Sequence, residues 1–168
     1  MTGLDRLPRE AFVATLGGIF EHAAWVAEAV VDARPFGTID RLHRAMVAAV
    51  LAAPPERQLA LLQAHPELAG KLARSGGLSA ASAGEQASLG LDRLDAAEIA
   101  RFDRANARYR ARFGFPFIIA VRAQRDRRAI LDALETRVAH DRATELETAL
   151  AEVAKIARFR LDALAEAS

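Results

Sequence analysis

Helical periodicity, with almost nothing competing against it, is what most limits the folds open to this chain. Between Asp141 and Leu164 the apolar residues Leu146, Leu150, Val153, Ile156 and Leu161 return at helical intervals, the spacing that keeps one face of an α-helix turned to a core. Phe12, Leu16 and Ile19 repeat it, as do Leu42, Met46, Val47 and Val50. Nowhere do apolar and polar residues alternate as a half-buried strand requires. The one strand-like run is Phe117-Ile118-Ile119-Ala120-Val121, and a lone strand leaves its backbone groups unpaired. It is either an extended buried segment or a row of amides facing something that accepts hydrogen bonds. The expected class is all-α, a single compact multi-helix bundle over residues 1–168 with about seven to nine helices.

The breaks in the pattern set the boundaries. Pro8 opens a helix to Leu16, and Gly17-Gly18 separates it from a segment running from about Phe20 to Ala33. Thr38 or Asp40 caps the next helix. Pro54-Pro55 starts a short one, Glu56 to Ala64, with Leu59 and Leu62 inward. Pro66 biases His65 away from helical dihedrals and ends it. A short helical turn from Glu67 to Ala73 and a loop from Ser75 to Gly84 are expected next. Ser82-Ala83-Gly84-Glu85 fits a capping box, and Asp95-Ala96-Ala97-Glu98 resembles one with aspartate as cap. A long helix then runs to Phe113, where Gly114 suits a left-handed C-terminal position and Pro116 blocks continuation. Asp126 caps a helix through His140, and Asp141 caps the last.

Composition excludes several chemistries. With no cysteine, thiolate nucleophiles, disulfides and zinc–thiolate sites are out. The four histidines, His22, His43, His65 and His140, never stand three or four apart, so no helical metal pair exists. Lys and Arg number 23 against 22 Asp and Glu, so no overall field favours nucleic acid or an acidic membrane. Arg122, Arg125, Arg127 and Arg128 form a local basic cluster, read as a solvated helix start. A helical binding module using that cluster is the competing class. Met1 to Glu10 has no signal-peptide core and no apolar run is long enough to span a bilayer. A cytoplasmic protein without membrane or nucleic-acid partners is the expectation.

Taken singly, the chemistry-bearing residues each have two readings. His65 stands at a rigid corner, where it either bonds the last helical carbonyls or serves as an acid/base. Glu85 either bonds back to the Ser82 amide or, with Gln86 and the bare amides of a helix start, faces a polar ligand. Arg112 either complements a helix dipole or offers its planar fork to a carboxylate. His22 lines a cleft or caps a helix. His43 and His140 sit in polar surroundings and are expected to face solvent. Trp25 and the phenylalanines near Pro116 read as core or interface.

Three segments together are more specific. His65-Pro66-Glu67-Leu68-Ala69-Gly70, then Ser82-Ala83-Gly84-Glu85-Gln86 leading into Gly90-Leu91, then Asn106 through Arg112-Phe113-Gly114-Phe115-Pro116 to Val121 resemble the 2-oxo-4-hydroxy-4-carboxy-5-ureidoimidazoline (OHCU) decarboxylase family. Leu16 to His22 with Trp25, Arg34-Pro35-Phe36 and the last helix extend the likeness over nearly the whole chain, in its bacterial form. The resemblance implies an all-helical homodimer without metal or organic cofactor, converting OHCU to (S)-allantoin in the last step of urate breakdown. It implies His65 as catalytic histidine and Glu85 as its acid/base or polar partner. Pro66, Ser82, Ala83, Gly84, Gln86 and Arg112 would bind substrate, together with Phe117, Ile118, Ile119, Ala120 and Val121. A member acting on a related ureido or purine breakdown product is the nearest alternative.

Overall fold

The structure, a computed structural model, describes residues 2–70 and 76–167. Among these it contains nine α-helices and no strand: α1 (Thr2–Asp5), α2 (Arg9–Leu16), α3 (Ala24–Val30), α4 (Ile39–Ala52), α5 (Pro55–Gln63), α6 (Ala80–Ala87), α7 (Ala96–Phe113), α8 (Arg127–Arg137) and α9 (Arg142–Glu166). Single 3-10 turns occupy Val31–Ala33 and Val121–Ala123. The all-α class is as expected. The chain divides into two compact units, Met1–Ala64 with Ala154–Ser168, and His65–Val153.

In the first unit α2 packs on α3 and α3 on α4, burying Phe12, Leu16, Val26, Ala27, Leu42, Met46 and Val50. Thr38 caps α4 by accepting from the Arg41 amide. The Asp5 carboxylate accepts from the amides of Phe36 and Gly37, which ties down the short helix α1 that apolar spacing does not reveal. The second helical segment begins at Ala24, later than expected, because His22 takes a positive φ of 51°. In α5 Leu61 and Leu62 are buried and Leu59 only half-buried, a shift of the inward face by about a quarter turn. One buried ion pair joins Arg160 to Glu21 at 2.8 Å. His43 is half-buried, not solvent-facing, and its Nε2 lies 2.8 Å from the Ala154 carbonyl oxygen as donor.

In the second unit the Asp95 capping box forms as expected, and Gly114 closes α7 with φ 80°. Tyr109, Phe113, Phe115 and Phe117 make a buried aromatic cluster. Helix α8 stops at Arg137, three residues before His140, in a turn carried by the amides of Ala139 and His140. Asp141 starts α9 by accepting from the amides of Ala143 and Thr144. The largest departure lies at α6. The expected loop reaches only Ser79, and the helix begins at Ala80. No single helix among the described residues is long and apolar enough to cross a membrane.

Candidate functional site

His65 follows the C-terminus of α5, where the Ala64 amide still bonds back to the Ala60 carbonyl and proline at the next position forbids another turn. The imidazole is 6% exposed. Beyond Pro66 the chain turns sharply, the Gly70 amide donating to the Glu67 carbonyl. A Cβ at Gly70 would stand 3.0 Å from the Glu67 Cβ, a tight contact that Glu67 would have to yield to. Ala69, wholly buried, has φ 53°. Of the expected helical turn from Glu67 to Ala73, residues 67–70 form a non-helical turn and residues 71–73 lie outside the described residues.

Helix α6 meets this corner. Ser79, not Ser82, is its N-cap, accepting from the Ser82 amide, and the Ala83 amide bonds to the Ser79 carbonyl. The Ser82–Glu85 capping box is therefore overturned. Three earlier residues, Ser79-Ala80-Ala81, supply the helix start, and the amides of Ser82 and Ala83 are already used within it. The correction turns Ser82 and Gln86 into an i,i+4 pair on one face, both buried. Glu85 is half-buried between them in sequence, while Ala83 and Gly84 face outward.

Two hydrogen bonds and one packing contact bring the sequence segments together. Gln86 Oε1 accepts from the Ala69 amide at 3.0 Å, joining α6 to the His65 corner. Asn106 Nδ2 of α7 donates to the Leu68 carbonyl at 2.9 Å. The 3-10 turn that follows Phe117–Ala120 packs against α6. His65, Pro66, Ser82, Glu85, Gln86 and the end of the Phe117–Val121 run thus belong to one neighbourhood of the second unit. Gln86 Nε2 and Asn106 Oδ1, both buried, make no hydrogen bond. They are a donor and an acceptor, the two functions a ligand with amide or urea groups can satisfy.

The Phe117–Val121 run is wholly buried; residues 117–120 are extended and Val121 begins the 3-10 turn. Side chains do the work of a neighbouring strand. Arg137 Nη1 donates to the Ile118 carbonyl at 2.8 Å, and Glu152 Oε2 accepts from the Ala120 amide at 2.8 Å. The Ala120 carbonyl accepts from the Ala123 amide at 3.0 Å. Arg137 itself is fixed by Glu145, which is fully buried and takes Arg137 Nη2 at 2.5 Å, the Tyr109 hydroxyl, and His140 Nδ1 at 2.7 Å. Burial, followed by the hydrogen bond to Glu145, raises the Tyr109 pKa well above its ordinary value. His140 is thus half-buried and engaged, not solvent-facing.

Arg112 is exposed and donates Nη2 to the His140 carbonyl at 2.8 Å. His22 is exposed beside Glu21, at 3.6 Å. The basic cluster is a paired surface: Arg127 meets Glu98 at 2.8 Å, Arg125 meets Asp126 and Arg128 approaches Asp132. Among the described residues no group of three or more His, Asp or Glu could hold a metal ion.

Sequence reasoning passed over Asn106, Glu145, Glu152 and Arg137. A signal was present. Phe102, Asn106, Tyr109 and Phe113 form the buried stripe of α7, so Asn106 interrupts an apolar row. Glu145 and Glu152 interrupt the stripe of α9 in the same way, beside buried Ala149 and Ile156.

The OHCU decarboxylase family model matches residues 5–162. A 2-oxo-4-hydroxy-4-carboxy-5-ureidoimidazoline decarboxylase of Haloferax volcanii is 45% identical over 158 residues, covering 94% of this chain and 91% of that protein. The mouse protein of that name is 40% identical over 150 residues, covering 89% of this chain and 84% of its own length. The uric acid degradation bifunctional protein PucL of Bacillus subtilis is 41% identical over 161 residues, which are 96% of this chain but 32% of that protein. Among solved structures, an (S)-allantoin synthase superposes with TM-score 0.77 at 36% identity, over 97% of this chain and 53% of that one. A second, an OHCU decarboxylase in the presence of (S)-allantoin, gives TM-score 0.70 at 21% identity over 94% of this chain and 98% of that one, and shares the fold.

Proposed function

This chain belongs to the OHCU decarboxylase family, and we propose that it decarboxylates OHCU to (S)-allantoin in urate degradation. The observation that carries the reading is the convergence at the His65 corner. The buried histidine's corner is tied to the Ser82/Gln86 face of α6 through Gln86 and to α7 through Asn106, and the 3-10 turn ending the Phe117–Val121 segment packs on α6.

The substrate supplies its own electron sink. Its carboxylate sits on C4, beside the C5=N bond of the ring. When the C4–carboxylate bond breaks, carbon dioxide leaves and the electron pair moves into C4=C5, with the ring nitrogen taking the charge. The product then needs a proton on that nitrogen and another on one face of C5, and loses the C4 hydroxyl proton as the carbonyl forms. In this reading His65 moves protons at the C4 hydroxyl, and Glu85 orients the imidazole or holds the substrate. Pro66, Ser82 and Gln86 contribute the pocket. Ala83 and Gly84 face outward in α6, and Arg112 is held by the His140 carbonyl. A direct role for these three would need a side chain to be re-aimed or an outward surface to be covered. The reading includes a homodimer, which rests on the family resemblance and is tested by light scattering, and a cytoplasmic location, tested by fractionation.

The test of function is direct. Protein added to freshly generated OHCU should speed the appearance of the (S)-allantoin circular dichroism signal. Decay at the spontaneous rate removes the proposal. If a related ureido compound turns over while OHCU does not, the alternative substrate replaces it.

A further inference from the structure

The two bonds that join α6 and α7 to the His65 corner fall on a single peptide unit. Its carbonyl, of Leu68, accepts from Asn106 Nδ2, and its N–H, of Ala69, donates to Gln86 Oε1. In a trans peptide these two groups point in opposite directions. The peptide plane is therefore gripped from both sides by amides on two different helices. The backbone partners also fix which end of each amide is which, since a carbonyl needs a donor and an N–H an acceptor.

This peptide unit holds a conformation it would not choose unaided. Ala69 sits at φ 53°, where a Cβ crowds the following carbonyl. It stands three residues after Pro66, whose ring fixes the backbone next to His65. The clamping side chains are poor stabilisers in themselves. Each is at most 3% exposed and leaves one polar atom unsatisfied, Asn106 Oδ1 and Gln86 Nε2, which offsets much of what the other end contributes. Fixing the Leu68–Ala69 plane is what they accomplish. Gln86 belongs to the segment already read as substrate-binding. Asn106 does not.

We propose that Asn106 is a positioning residue for His65, acting through the Leu68–Ala69 peptide, whose left-handed turn it holds together with Gln86. The inference rests on His65 being the acid/base of OHCU decarboxylation. Misplacing a catalytic group by a fraction of an ångström to an ångström lowers turnover by about ten- to a hundredfold while leaving substrate binding largely intact.

The experiment compares wild type, Asn106→Ala, Asn106→Asp and the double variant Asn106→Ala/Ala69→Gly in steady-state OHCU turnover. Circular dichroism melts confirm that each is folded at the assay temperature. Asn106→Asp keeps the side-chain volume and replaces the donor facing Leu68 with an acceptor, so it reports on the clamp should the alanine variant fail to fold. Both single variants should lose kcat by about tenfold or more with KM changed less than about threefold. Glycine at position 69 adopts the left-handed turn without a clamp, so the double variant should recover a substantial part of the lost kcat. A residue that merely supports the fold would give no such recovery, because glycine adds nothing else. Folded single variants with wild-type kcat overturn the proposal, as does a loss confined to KM or one that Ala69→Gly leaves untouched. An inactive wild type instead removes the decarboxylase reading, and the positioning role falls with it.

Discussion

Two side chains show how much one residue can decide. His65 is buried at a corner that backbone rules already specify, so His65→Asn should keep the helical fold and melting behaviour. Its kcat should fall by at least about a hundredfold, since general acid/base assistance is worth about 10²–10⁴-fold. Stopped-flow or circular dichroism turnover assays read this out, and near-normal turnover would end the assignment of His65 as catalyst. Glu145 is the structural counterpart. It is fully buried and gathers Tyr109, Arg137 and His140. Through Arg137 it also fixes the Ile118 carbonyl. Glu145→Leu leaves the Arg137 charge buried without its partner, and breaking such a pair from one side costs about 3–5 kcal/mol. Urea unfolding should show that loss. A change under about 1 kcal/mol would mean that Arg137 finds solvent readily. Glu145 was in plain view in the sequence, as an acid where the stripe through Ala149 and Ile156 calls for an apolar residue. It went unnoticed because a single polar residue in a long amphipathic helix resembles a boundary residue until its depth is known.

At the scale of elements, the chain was most legible where its caps are local. Asp95-Ala96-Ala97-Glu98 and Gly114 bounded α7 because both devices act within a few residues. Helix α6 was misplaced for the converse reason. Ser79 and Ser82 are both competent caps, and alanine on either side gives no apolar phase to choose between them. The choice falls to burial, which places Ser82 and Gln86 inward. The observed start makes opposite predictions for two neighbouring positions. Ser79→Ala removes the acceptor for the Ser82 amide and should lower stability by about 0.5–2 kcal/mol. Gly84 lies inside the helix, and a Cβ there meets nothing within 4 Å, so Gly84→Ala should raise stability by up to about 1 kcal/mol. Thermal melts of both variants check this. A stabilised Gly84→Ala enzyme with normal KM for OHCU would also show that the outward face of α6 does not touch substrate. A Ser79→Ala enzyme as stable as wild type would return the helix start to Ser82.

For the molecule as a whole, helical period and the lack of alternating runs were enough for the all-α class, because they need only local sequence. The way Phe117–Val121 pairs its backbone was not legible, since its partners, Arg137 and Glu152, lie about twenty to thirty positions away and only a folded chain brings them near. The same distant contacts leave a global signature in the pH dependence of stability. Tyr109 is buried against Glu145, and burial first, then that hydrogen bond, raises its pKa. In the unfolded chain the phenol titrates near 10. Below that pH both states hold the proton and the contribution is complete. Above it the unfolded chain releases a proton that the folded protein keeps, so unfolding becomes easier as pH rises. The slope for one such proton is about 1.4 kcal/mol per pH unit. Stability from urea titrations between about pH 9 and pH 12 should therefore fall along this line. Tyr109→Phe, though weaker at neutral pH for want of the hydroxyl, should flatten the alkaline limb by that slope. An unchanged limb in the variant would place the Tyr109 hydroxyl in contact with solvent and remove it from the Glu145 network.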